Sequence, residues 1–103
     1  MIAAERQRQI DVERWTPEHD DEHDRGEMSG AAQAYAFAAR CQVVAVANGE
    51  QPMTGEYLYA RVPMGWPVAW DESWWKPSDD PVRNLVKAGA LIAAEIDRLQ
   101  RRD

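Results

Sequence analysis

The residues best equipped for chemistry stand in two short runs, Trp15 to Asp24 (WTPEHDDEHD) and Ser73 to Pro77 (SWWKP). In the first, His19 and His23 lie four residues apart with Asp20, Asp21 and Asp24 around them. Thr16-Pro17 has the form of a helix cap followed by proline at the first helical position. A turn over Glu18 to His23 would then set His19 beside His23 and Asp20 beside Asp24. Imidazole suits zinc, nickel or iron and carboxylate suits magnesium or manganese, so His19, His23, Asp20 and Asp24 are candidate ligands for a divalent ion. The run has no HExxH arrangement, in which a glutamate beside the first histidine acts as base, and there is no cysteine pair. The ExxE and ExxD pairs of an all-helical nucleotide pyrophosphatase are also missing. No metal or cofactor is therefore assigned, and the plainer reading is a polar knot that answers the arginines of the first helix.

The second run offers flat apolar faces next to a cation. Four of the chain's five tryptophans fall between Trp66 and Trp75, and Lys76 follows directly. Stacking of a nucleobase on such a face stabilises by about 1–3 kcal/mol, and a lysine or arginine can hold a phosphate. The competing reading is that the tryptophans pin a long loop onto the helices.

The element that must position both runs is Met28 to Asn48, apolar on almost every face between Ala31 and Ala47 and interrupted there only by Gln33, Arg40 and Gln42. A helix of that kind is buried on most sides. Its alanines let neighbours come close, while Tyr35, Phe37, Val43, Val44 and Val46 supply volume, and Gly49 is its stop. A first helix runs from Ile2 to Glu13, with Ile2, Ile10 and Val12 as its buried contacts. Glu50 to Lys76, rich in glycine and proline, is an ordered loop rather than a lone strand over Tyr57 to Val62. Asp80 then caps a final helix with Pro81 at its first position, running to Arg102. Its Val82, Leu85, Gly89, Ile92, Ile96 and Leu99 alternate three and four apart, an a/d seam about three heptads long that points to the core. Ala88 and Leu91 lie off that seam and are the expected oligomer contact. The expected fold is all-α: one domain over residues 1–103, three helices and a long Trp/Pro-rich loop, assembled as a homo-oligomer.

A net charge of −6 argues against duplex nucleic acid as a partner. The one cysteine, Cys41, sits in the apolar helix as a small core residue of a reducing compartment. The opening MIAAERQRQI turns polar too early for a signal peptide, and the central helix, near membrane-spanning length, holds Gln33, Arg40 and Gln42 among weakly apolar alanines, which argues against a span.

Glu5 to Gln9 (ERQRQ), Trp15 to Asp24, Ser73 to Pro77 and Leu85 to Leu99 (LVKAGALIAAEIDRL) together resemble a family of small proteins of tailed phages and proteobacterial prophages. The resemblance covers most of the chain in the same order. Relatives carry glycine where this chain has Arg14, and a tighter run where it has Trp66 to Asp71. The family transfers no activity. It implies a phage accessory protein in the host bacterial cytoplasm, where countering host defence is a common task.

Three functions follow from these readings. The first is a binding module that sequesters a nucleotide-type signalling molecule or blocks a host defence protein. Its expected ligand-binding residues are Arg6, Trp15, His19, Asp20, Asp21, His23, Trp74, Trp75 and Lys76, with the two polar runs meeting in one pocket. The second is a metal-dependent hydrolase of a nucleotide or phosphoester, using the His/Asp run. The third is an acidic structural interaction protein. The absence of a nucleophile and base pair favours binding over catalysis.

Overall fold

A computed structural model describes residues 1–13, 18, 22–23 and 25–101 and contains helices and no strand among them. Helix α1 is Ile2–Asp11, α2 is Glu27–Ala47, α3 is the short Gly55–Tyr59, a single 3-10 turn covers Glu72–Trp74, and α4 is Pro81–Arg101. The body measures 48 × 27 × 22 Å, and its two 21-residue helices are each about 31 Å long.

Helices α2 and α4 pack antiparallel. Gln42, near the end of α2, accepts a 2.8 Å hydrogen bond from Asn84, near the start of α4, while Tyr35 further back on α2 meets Lys87 further on in α4. The contact is built from small side chains, with Ala31, Ala34 and Ala38 of α2 and Ala88, Leu91 and Ala94 of α4 all at most 3% exposed. Alanine on both surfaces lets the backbones approach closely, which is what an alanine-rich helix is suited for. The ends behave as the sequence requires. Asp80 Oδ1 accepts from the Val82 N–H at 2.9 Å, and Gly49 closes α2 in the left-handed region at φ 73°.

Three expectations about burial are overturned. The a/d seam of α4 faces outward: Val82, Leu85, Ile92, Ile96 and Leu99 are 42–51% exposed, whereas Leu91 and Ala88, assigned to the outer flank, are core. Spacing defines an apolar stripe but not its partner, and α2 has chosen the neighbouring, smaller-residue stripe. On α2 the large residues Phe37, Val43, Val44 and Val46 stay 46–61% exposed, and only Tyr35 of the expected set supplies core volume, aided by Met28. On α1, Ile2 and Val12 are exposed at 46% and 64%, and the buried residues are Glu5 and Gln9.

The connection from Asn48 to Asp80 is ordered, as expected, and Tyr57 to Tyr59 are helical rather than extended because Thr54 Oγ1 caps α3 by accepting from the Tyr57 N–H at 3.1 Å. Trp66, Trp70 and Trp75, at 8%, 7% and 0% exposure, fasten this loop to the helices. Gly65, at φ 105°, brings its carbonyl so close to Gly30 of α2 that a side chain at Gly30 would collide with it. Both loop ends are tied to the helix pair by the Gln42–Asn84 knot. Asn84 accepts from the Ser78 N–H at 2.8 Å, and the Gln42 amide donates toward the Met53, Ser78 and Asp79 carbonyls at 2.9–3.1 Å. No helix among the described residues is long and apolar enough to cross a membrane.

Candidate functional site

Two of the buried polar side chains, Glu5 and Gln9, lie on the face of α1 that packs against α4. The Glu5 carboxylate has no exposed side-chain surface and is gripped by Arg8, at 2.9 Å from Nη2, and by Arg83 of α4 at 2.5 Å. Burial opposes its ionisation, but the two guanidiniums outweigh that, and its pKa lies below the ordinary value. Glu13 is bound by both Lys76, whose Nζ is 3.0 Å from each carboxylate oxygen, and Arg8 at 3.3 Å. Burial again opposes ionisation there, and the Lys76 contact leads the effects that bring its pKa down.

Behind these pairs the Tyr35 hydroxyl accepts from the Lys76 N–H at 3.0 Å, and burial pushes its pKa up to about 12. Lys87 donates to the Lys76 carbonyl, and burial together with the neighbouring positive charge of Arg83 pulls its pKa down to about 8. Among the described residues four cations (Arg8, Lys76, Arg83 and Lys87) thus stand around the Glu5 and Glu13 carboxylates.

This cluster opens on one side into a groove of about 440 Å³ between α1 and the first turns of α4. Glu5, Arg8, Arg83 and Asp80 contribute its polar lining, and Met1, Ala4, Val82 and Val86 its apolar lining. The volume falls within the range of small-molecule sites, and few charged groups among apolar walls is their usual composition. Arg8 and Arg83 keep 34% and 38% of their side chains exposed, so the guanidiniums are held in place by Glu5 while remaining open to a ligand.

The residues expected to bind ligand distribute differently. Trp75 is wholly enclosed, its indole N–H donating to the Leu58 carbonyl at 2.9 Å and its ring 4.7 Å from Tyr35. It holds the loop and presents no open face within the protomer. Trp66 meets Trp70 and Trp75 edge to face at centroid distances of 5.5 and 5.6 Å, and Trp74 meets Trp70 at 5.4 Å. Trp74, half-buried, is the most open of these four rings. Arg6 is directed to Asp97 of α4, 3.8 Å away.

The described residues give contacts that flank the two polar runs, and the expected meeting of the runs in one pocket lies outside them. Glu13, just before the first run, binds Lys76 of the second. His23, near the end of that run, lies 5.0 Å from the Trp70 ring and 3.6 Å from Glu27. Trp15, His19, Asp20, Asp21 and Asp24 lie outside the described residues, and with them the candidate metal set apart from His23. Among the described residues no group of three or more histidine, cysteine and acidic side chains converges to hold a metal ion.

Sequence reasoning missed Glu5, Arg8, Arg83 and Lys87. The spacing of Glu5 and Arg8, three apart on a helix, was a readable signal. The other two come from far along the chain and carry no local mark. The chain matches no protein-family model, no curated protein and no solved structure.

Proposed function

We propose that this protein is a small helical binding module whose ligand is a nucleotide-type anion seated in the groove between α1 and α4. The observation that carries this reading is the enclosed Glu5 carboxylate holding the Arg8 and Arg83 guanidiniums side by side in the wall of a 440 Å³ groove. A phosphate takes paired hydrogen bonds from such groups, and a flat base covers the Ala4 and Val86 wall. The expected phage context makes sequestration of a host signalling nucleotide the role of such a module in the bacterial cytoplasm. The tryptophans serve this reading by fixing the loop that carries Lys76, in place of stacking on the ligand themselves.

Calorimetric titration with mononucleotides, dinucleotides and cyclic oligonucleotides tests the proposal. At least one class should bind with micromolar affinity, Arg83→Ala should weaken it by tenfold or more, and Ala4→Trp should block it by filling the groove. Binding no tighter than millimolar across the panel, or undiminished binding by both variants, would refute it.

A second reading, occlusion of a host defence protein, is favoured by Phe37 and Val44, exposed at 51% and 46% beside a recess of about 290 Å³ that Cys41 and Met53 also line. Retention of binding to a candidate host protein by Phe37→Asp would remove it.

A further inference from the structure

The outward seam of α4 has the regularity of a packing surface. Val82, Leu85, Ile92, Ile96 and Leu99 fall within an arc of about 100° around the helix. The gap left at Gly89 is filled from outside the helix. Ile2 of α1 lies over it, with Cδ1 and Cγ1 2.6 and 2.9 Å from where a Cβ would stand, and Ile2 is itself 46% exposed. The apolar stripe is therefore continuous over five helical turns.

We propose that a second copy of this chain covers this stripe, the two α4 helices running antiparallel across a two-fold axis between Ala90 and Leu91. Four features of the molecule identify that occupant. The a/d repeat is self-complementary, since an antiparallel partner in this register sets Leu85 against Ile96 of the partner subunit and Val82 against Leu99 of the partner subunit. The flanking positions hold Ala88 and Glu95 on one edge and Val86 and Ala93 on the other. Glu95 is buried and paired with Arg98 inside its own protomer. A charged partner would find nothing to pair with along this seam, whereas two acidic copies meet there without facing charges. At the ends, antiparallel pairing brings Asp79 and Asp80 at the start of α4 toward the basic last turn of the partner's α4, favourable both for the charges and for the helix dipoles.

The area also suits a dimer. Six large side chains about half exposed present roughly 500 Å² of apolar surface, at the upper end of what a monomer usually leaves open. Doubled across a two-fold axis this gives about 1,000 Å², the lower limit of a specific interface.

Light scattering coupled to size-exclusion chromatography reads the outcome directly. At micromolar concentration the wild-type chain should elute at twice its 11.7 kDa mass. Ile92→Glu and Ile96→Glu should each run as monomers with unchanged helical circular dichroism, because both side chains face outward. Leu91→Glu, by contrast, should unfold the chain. Mixing Leu85→Cys with Ile96→Cys, both in a Cys41→Ser background, should give a mixed disulfide in preference to either self-pair. A stable wild-type monomer, or an Ile92→Glu variant that still forms the dimer, would overturn the proposal, and preferential self-pairing of each cysteine variant would overturn the antiparallel arrangement.

Discussion

Ile2 of α1 sits where the side chain of residue 89 would be, so the first helix is seated on the fourth by the absence of a Cβ. Glycine inside a helix normally costs about 1 kcal/mol relative to alanine, so Gly89→Ala in open surroundings would stabilise. Here the added methyl meets the outer end of Ile2, a half-exposed side chain that has to turn aside. Gly89→Ala should therefore stabilise by less than about 1 kcal/mol in urea unfolding, and by more when Ile2→Ala is already in place. An equal gain in both backgrounds would show that the contact carries no energy.

The Gln42–Asn84 knot should be the most substitution-sensitive polar feature of the core. Asn84→Ala leaves the Ser78 N–H and the Gln42 carbonyl oxygen without their partners at a position that is fully enclosed. Each buried polar group so orphaned costs about 1–3 kcal/mol, so a loss of about 2–4 kcal/mol is expected in denaturant unfolding. A loss below about 1 kcal/mol would mean that the loop ends are held by other contacts.

Glu5 ties α1 to α4 through Arg83, and its neutral amide cannot do the same. Glu5→Gln should cost about 2 kcal/mol or more, because one member of a buried ion pair is removed and two guanidiniums remain. The pH dependence has a defined sign. Glu5 and Glu13 have folded pKa values below the ordinary 4.5, so the unfolded chain takes up protons first as pH falls. Their contribution is complete above pH 4.5 and is lost as pH drops through the folded values. Thermal melts between pH 6 and 3 should show this fall, and the slope should flatten in Glu5→Gln.

Lys87 and Tyr35 act in opposite directions at alkaline pH. Lys87 titrates near 8 when folded and 10.5 when unfolded, so the unfolded chain holds the extra proton in that window and stability gains from it as pH rises. Tyr35, raised from 10.0 to about 12, reverses the sign above pH 10, where the unfolded phenol ionises first. Lys87→Met should remove the rise between 8 and 10.5 in melting experiments. Phenolate absorbance should show one of the three tyrosines titrating about two pH units late, and Tyr35→Phe should abolish that late step.

Local chemistry was readable where local chemistry decides the structure. The Asp80-Pro81 start, the Gly49 stop and the anchoring role of the tryptophan loop all depend on residues within a few positions of one another or on plain bulk. The choice between stripes on α4 was not readable, because Leu91 with Ala88 and Ile92 with Ile96 are both sound apolar surfaces. Only the alanine-rich face of α2 decides which of them the core takes. The polar inner face of α1 was hidden for a related reason. Burying Glu5 is unfavourable until Arg83 arrives from the far end of the chain, and no window around Glu5 contains that residue. The groove depends on that same distant pairing, so its position could not be read from either segment alone.

The edge-to-face packing of Trp66, Trp70, Trp74 and Trp75 also gives the molecule a built-in optical gauge. Indoles 5.4–5.6 Å apart couple electronically, and three of them, Trp66, Trp70 and Trp75, are shielded from water. With Trp15→Phe in place their signal reports the seating of the loop, whereas the peptide signal of α2 and α4 reports the helix pair. Following both during unfolding separates detachment of the loop from melting of the hairpin, with no label added. If the two traces coincide, the long connection between α2 and α4 is as much a part of the cooperative folding unit as the helices it joins.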